Sequence, residues 1–250
     1  ASGRNGGQVI AGLKFDPEEL VSIFGNGLGS RVVETVGATA DVLFETIARY
    51  DIACHAARNG WLQGAHCERA LSRQRERARQ WKNFGADTRI LEASDAASAT
   101  GSNFYAGAWL DTRGGTIQPL MYARGLAKAA SHLGAKIFVG SQVVSLRRIG
   151  PSWHVDCGRG SVIADNVVVA TNAYTGNITS VLRRTVVPVT SIQIATDPRP
   201  ADIRETILPG GQALSETRHV LRYSRLDADG RFVIGSQGPT HVDVTLKDAT

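Results

Sequence analysis

Apolar residues recur every three or four positions at Leu28, Val32, Val36, Ala40, Leu43 and Ile47. That period predicts an amphipathic helix of about five turns, its stripe turned toward a core. Just upstream, Gly25-Asn26-Gly27-Leu28-Gly29-Ser30 imitates a dinucleotide fingerprint. Its last glycine is missing and no strand precedes it, so it reads as a helix-entry loop. Leu120, Ala123, Leu126, Ala127, Ala130 and Leu133 set out a second helix with a small-residue face, which Gly134 ends. Strand-like runs follow at 136–139, 143–149, 153–157 and 167–170, and again at 186–195, 220–226 and 232–235. Val167-Val168-Val169 is apolar on both faces, as a buried parallel strand should be. Asp227-Ala228-Asp229-Gly230 lacks the later ligands of a calcium loop and reads as a hairpin turn.

Residues 52–66 read as another hairpin, turning on Asn59-Gly60. Cross-turn pairing then sets Cys54 opposite Ala65 and His55 opposite Gly64. Side chains alternate faces, so the cysteines point one way and the histidines the other. On this reading Cys54, His55, His66 and Cys67 do not converge, and no metal is predicted.

Composition narrows the class. The 250 residues suit one large domain or two small ones, with 42% hydrophobic and 20% charged residues, an ordinary globular balance. No apolar run approaches a membrane span and no signal peptide opens the chain. Three cysteines at irregular spacing point to a reducing compartment, hence a cytoplasmic location. The net charge of +5 comes with 23 Arg against 5 Lys. Arg73, Arg75, Arg77 and Arg79 alternate with other residues, but Glu68 and Glu76 dilute the run and no aromatics interleave it. It reads as a solvated helix face, with no nucleic-acid partner. The chain begins with Ala1, has Met121 as its only methionine and stops at Thr250 without punctuation. It is expected to be an internal piece of a longer protein.

The chemistry starts at Ala1-Ser2-Gly3-Arg4-Asn5-Gly6-Gly7-Gln8. Glycine lets a backbone approach a ligand closely, and Arg4 and Asn5 add donors. Both a backbone cradle for a flat or anionic ligand and a flexible terminal tail fit these eight residues. Three later stretches join it: Gly115-Thr116-Ile117-Gln118-Pro119, Val167 to Thr175, and Tyr223-Ser224-Arg225 running on to Asp229-Gly230-Arg231. In this order they resemble the FAD-dependent amine and D-amino-acid oxidoreductases of the glycine oxidase/D-amino-acid oxidase superfamily, nearest the gamma-glutamylputrescine oxidase type.

The resemblance implies an α/β (α+β) fold. A partial two-dinucleotide-binding-type FAD domain (1–12 and 114–177) would be interleaved with an antiparallel β-sheet substrate domain carrying helices (13–113 and 178–250). The implied cofactor is FAD. Ser2, Arg4, Asn5, Gly6, Gly7 and Gln8 match the segment lying against the flavin and pyrophosphate. Val143 matches a residue whose backbone meets the adenine, and Ala170 and Thr171 the strand end beside the adenosine. Tyr223 and Arg225 are two apart on a strand and share a face; the resemblance turns that face to the substrate pocket. A tyrosine wall beside a guanidinium suits a carboxylate or amide substrate. Alternatively, Arg225 pairs with Asp227 or Asp229. Gln193 is a further candidate for the same pocket.

The implied reaction oxidises the C–N bond of a small amine or amino acid by hydride transfer to flavin, and the imine hydrolyses. The family's N-terminal strand, glycine-rich turn and acidic ribose partner do not match anything in this chain. The chain alone is therefore expected to be inactive and to hold FAD weakly. A non-catalytic binding module of the same architecture is the alternative. The substrate, electron acceptor and oligomeric state stay open.

Overall fold

A computed structural model of the chain describes residues 2–176, 178–185 and 189–238. Along the chain the elements are β1 (Gln8–Val9), α1 (Pro17–Gly37), α2 (Thr39–Arg49), β2 (Trp61–Ala65), α3 (Glu68–Asn83), β3 (Thr88–Glu92), α4 (Ala93–Thr100), β4 (Gly107–Asp111), β5 (Gly115–Thr116) and α5 (Pro119–His132). There follow β6 (Ser145–Ile149), β7 (Ser152–Asp156), β8 (Ser161–Ala164), α6 (Ser180–Thr185), β9 (Ser191–Pro198), α7 (Ala201–Arg204), β10 (Ala213–Glu216), β11 (Arg222–Leu226) and β12 (Arg231–Gln237). They form two compact units, one of Ser2–Leu126 with Ser191–Gly238 and one running through Ala127–Thr190. The architecture is mixed α/β, with helices on antiparallel and mixed sheets.

The larger unit is built on a seven-stranded sheet in the order β3-β4-β2-β10-β11-β12-β9. Every pairing in it is antiparallel except β2 with β10. Register places Trp109, Gln63, Ser215, Tyr223, Gly235 and Gln193 in one row across six strands, on one face. At one end of that face, Trp61 and Trp109 meet edge to face at 5.5 Å. They form a core with Leu20 and Val33 of α1 and Ala78 and Trp81 of α3. The opposite face buries Leu62, Ala108 and Leu214 against Ala96, Tyr105 and Leu208. There the Tyr105 hydroxyl donates to Glu216 Oε1 at 3.2 Å. Burial, with the Glu216 carboxylate beside it, pushes the Tyr105 phenol up to about 12. A third core joins Val9 and Ile117 to Ala40, Ile52 and Cys54. In the smaller unit, β6, β7 and β8 form an antiparallel meander.

Several sequence expectations are corrected. The first helix starts at Pro17, whose fixed φ suits a first turn, with Glu18 and Glu19 favourable at its positive end. Gly25, at φ 76°, is a one-residue break inside the helix, where a longer entry loop was expected. A second break at Ala38 divides the predicted stripe between α1 and α2, and Leu28 is left exposed while Val33 is buried. Residues 52–66 are not a hairpin: Ala57 bridges Thr116, and β2 pairs with β4 and β10. Cys54, His55, His66 and Cys67 therefore do not lie on a shared two-stranded ladder. Cys54 is buried in the third core, and Cys67 is exposed ahead of α3.

The runs 136–139 and 167–170 are not strands. Neither finds a partner among the described residues, and Val139 and Val168 are 88% and 89% exposed. An apolar run has strand propensity only where a neighbouring ladder and a covering layer complete it. Of the run 186–195, residues 186–188 lie outside the described residues and β9 begins at Ser191. The arginine run is mostly a solvated face, as Arg75–Glu92 and Arg79–Glu18 ion pairs show. Arg77 departs from it and lies over the Trp109 ring at 5.2 Å. Among the described residues, no helix is long and apolar enough to cross a membrane.

Leu62 has no solvent exposure and packs on the face away from the row that carries Tyr223. Leu62→Ala is expected to cost about 2–5 kcal/mol of stability. Urea denaturation of the variant against the parent measures it.

Candidate functional site

The opening segment is ordered. Ser2–Arg4 is a short 3-10 turn, and Asn5 closes on both sides of itself. Its Nδ2 donates to Ser2 O at 2.6 Å, and its Oδ1 accepts the Gly7 N–H at 2.9 Å. Gly7 takes φ +68°, a left-handed conformation that glycine adopts at little cost. Its carbonyl accepts the Ile117 N–H at 2.8 Å, and Gln8 then pairs with Thr116. The tail reading of this segment is thereby set aside.

Gln8 leaves the segment and plugs into the sheet. Its Nε2 donates to Leu214 O at 2.8 Å and Ser224 O at 3.1 Å, carbonyls of neighbouring strands. Its Oε1 accepts the Ser215 hydroxyl at 2.8 Å, and Ser215 in turn accepts Trp61 Nε1–H at 3.0 Å. The amide is thus fully engaged by protein groups. It anchors the segment over β10 and β11.

Tyr223 and Arg225 stand on the same face of β11, where the segment crosses. The Tyr223 ring lies between two glycines: a Cβ on Gly6 would fall 2.6 Å from it, and one on Gly235 would also overlap it. Its hydroxyl hydrogen-bonds Ser191 Oγ at 3.0 Å. Arg225 is 8% exposed, and its Nε donates to Gly6 O at 2.8 Å. Burial pushes the guanidinium pKa down and nearby Asp227 partly restores it, but guanidinium groups stay protonated in proteins. Arg225 does not form the ion pair entertained from the sequence, because Arg231 takes both Asp227, at 3.6 Å, and Asp229. Arg225 instead lines a cavity of about 360 Å³ with His55, Asn59, Gln118 and Asp227. Its Nη donors make no hydrogen bond among the described residues. A planar fork held at one end and free at the other can bind a carboxylate or amide.

The segment's outward side suits a flat ligand. A Cβ on Gly3 would meet Leu120 at 2.8 Å, so Gly3, Gly6 and Gly7 all press backbone against the unit. Ser2, Arg4 and Asn5 remain exposed, and Arg4 makes no ion pair among the described residues. The outward side is therefore backbone, short polar side chains and one free cation, which fits an anionic or planar group such as a flavin cofactor. Val143, Ala170 and Thr171 belong to the smaller unit. Val143 is half-buried ahead of β6, and Ala170 is exposed. The Thr171 hydroxyl is already shared with Thr175 at 2.8 Å.

The structure thus brings Gly6, Gly7, Tyr223 and Arg225 together, and gives Gln8 a structural anchor. Sequence reasoning missed Ser191 and Gly235 as Tyr223's neighbours. The signal for Gly235 was an isolated glycine closing an apolar strand run, which marks close approach.

Comparison with known proteins bears on the whole chain. The model of the DAO family, FAD dependent oxidoreductase, matches residues 1–250. The chain is 31% identical over 250 residues to a probable oxidoreductase OrdL of Haemophilus influenzae, covering 98% of this chain and 58% of that protein. It is 30% identical over 237 residues to the gamma-glutamylputrescine oxidoreductase of Escherichia coli, covering 94% and 55%. The chain therefore spans little more than half the length of these relatives. Among solved structures, glycine oxidase from Geobacillus kaustophilus shares the fold at a TM-score of 0.69 and 17% identity, over 96% of this chain and 62% of that one. Iminodiacetate oxidase from Chelativorans sp. BNC1 does so at 0.67 and 19%, over 95% and 62%. The match along its entire length establishes that this chain belongs to the DAO family of FAD-dependent oxidoreductases.

Proposed function

We propose that the protein carrying this chain oxidises the C–N bond of a small amine or amino acid, and that Arg225 holds the substrate's carboxylate or amide. One observation carries the reading: a buried guanidinium has its Nε fixed to Gly6 O and its other donors at a cavity wall. FAD, when bound, supplies the hydride acceptor. The chain's residues bind and orient. Ser2, Arg4, Asn5, Gly6 and Gly7 offer the flavin a flat backbone surface, and Gln8 fixes that surface to the sheet. Tyr223 is given the substrate side because it shares a strand face with Arg225; its ring packs between Gly6 and Gly235, and it is not among the residues that line the Arg225 cavity. We assign Val143, Ala170 and Thr171, of the smaller unit, to the adenosine on the family resemblance alone.

In this reading residues 1–12 and 114–177 belong to the FAD-binding domain, and 13–113 and 178–250 to the substrate domain. Pairing of Gln8 with Thr116 ties 1–12 to the start of the second piece; the compact units themselves divide later, at Leu126 and Ala127. The names of the relatives support a small amine or amino-acid substrate. The cysteine usage supports a cytoplasmic location.

The whole protein that carries this chain is expected to purify yellow, with flavin absorbance bleached anaerobically by a primary or secondary amine, whereas the 250 residues alone hold FAD weakly. A colourless protein that takes up no added FAD contradicts the reading. Arg225→Lys keeps the charge but loses the planar fork. A lost charge-assisted contact costs about 1.5–3 kcal/mol, so KM for carboxylate-bearing amines should rise roughly tenfold to a hundredfold while flavin content holds. Unchanged KM across carboxylate and amide substrates removes Arg225 from the pocket. Gly6→Ala should drive a methyl into the Tyr223 ring and cost about 1–3 kcal/mol, read as lower thermal stability together with lower flavin occupancy.

A further inference from the structure

A cavity of about 290 Å³ lies in the larger unit, on the sheet face turned away from Tyr223 and Arg225. Register fixes which side chains reach it. Leu214, Ser224 and Ile234 stand in one row across β10, β11 and β12, and Arg222 and Phe232 share their face. All five line the cavity, and Leu208, 1% exposed, covers it from the segment after α7. The floor is apolar except at Ser224. That residue is 6% exposed, yet its hydroxyl makes no hydrogen bond among the described residues. Its oxygen is not sealed off either: the sealed, unpaired side-chain atoms include Glu216 Oε2 but not Ser224 Oγ. A hydroxyl set between Leu214 and Ile234 and facing the cavity is left for a ligand to satisfy. Water satisfies a hydroxyl but gains nothing from apolar walls.

Two charged side chains also line the cavity, and they differ in what is left to them. Glu216 is already engaged: its Oε1 accepts the Tyr105 hydroxyl at 3.2 Å, and Arg218 Nε lies 3.9 Å from its Oε2. Arg222 has no carboxylate within ion-pairing distance among the described residues. It stands two residues before Ser224 on the same face of β11, so a guanidinium fork and a hydroxyl flank one opening. That donor pair suits a carboxylate.

We infer that this cavity is a ligand site for a small apolar monocarboxylate, such as a short branched-chain acid. The carboxylate takes Arg222 and the Ser224 hydroxyl, and the hydrocarbon lies on Leu208, Leu214, Phe232 and Ile234. The volume is at the small end for ligand cavities, which limits the body to a few carbons. The site does not rest on the flavin reading, since none of its residues belongs to the opening segment or lines the Arg225 cavity.

Isovalerate, isoamyl alcohol and acetate are titrated into the whole protein that carries this chain, and binding is followed by calorimetry. Isovalerate should bind saturably. Isoamyl alcohol keeps the branched chain but loses the acid, and should bind roughly tenfold to a hundredfold more weakly. Acetate keeps the acid but loses the branched chain, and should bind at least roughly tenfold more weakly. Ser224→Ala should weaken isovalerate roughly two- to tenfold, and Arg222→Gln roughly tenfold or more. Arg222 is exposed, so its variant keeps the fold even where Ser224→Ala unsettles the sheet, and circular dichroism checks both. Arg225→Lys should leave isovalerate affinity as it is. An absence of saturable isovalerate binding, or affinity that survives both Ser224→Ala and Arg222→Gln, overturns the site. Affinity lost in Arg225→Lys puts the acid in the Arg225 cavity and overturns it too. Isoamyl alcohol or acetate binding as tightly as isovalerate overturns the assignment to an apolar carboxylate.

Discussion

Tyr223 and Arg225 meet the chain's opening segment at a place where the backbone has no room for a β-carbon. Gly6 lies against the aromatic ring, Gly7 against Ile117 O and the guanidinium, and the Gly6 carbonyl takes the Arg225 Nε–H. Packing this close turns a glycine-rich stretch, costly to order in entropy, into a fixed surface. The bonds from Arg225 to Gly6 and from Gly7 to Asn5 are part-buried, and groups out of water left unpaired are costly. Removing either partner therefore disturbs the other. What the segment offers to a cofactor depends on this contact, and so does the direction in which the free end of Arg225 points.

The sheet supplies the rigidity behind the contact. Gln8 bridges two strand carbonyls and a serine whose hydroxyl is itself held by Trp61. Trp61 sits in the tryptophan core beneath α1 and α3. The line from core to surface is thus continuous: packed rings, a buried serine, an amide plug, then the exposed turn. A binding surface built on a sheet in this way is held more closely than one left on a free loop.

Much of this was legible in the sequence, and the failures have physical causes. Tyr223 and Arg225 were placed on one face by the two-residue period, and the turn at 227–230 by its composition. The α5 helix and its Gly134 stop followed from periodicity. Asn59-Gly60 misled because a strong turn dipeptide was read without its partners: Gly60 instead reaches the carbonyl of Gly114, and the strand it feeds pairs elsewhere. Val167 to Ala170 misled in the same way, since strand propensity says nothing of whether a neighbouring strand is there to pair. The role of Gln8 was out of reach, because its partners lie more than two hundred residues away. Family resemblance found the segment, and only the fold showed that its glycines are demanded by the protein's own side chains.

The contact between Arg225 and Gly6 is tested most directly by hydrogen exchange in the segment it orders. The Gly7 N–H is held by Asn5, and the Ile117 N–H by Gly7 O, so both amides report the segment's local opening. In Arg225→Ala these two should exchange at least roughly tenfold faster, the loss of about 1.4 kcal/mol from one buried charge-assisted bond, while amides of β2 and β4 keep their protection. Unchanged exchange at Gly7 and Ile117 would contradict the account, because the segment would then hold its shape without the guanidinium.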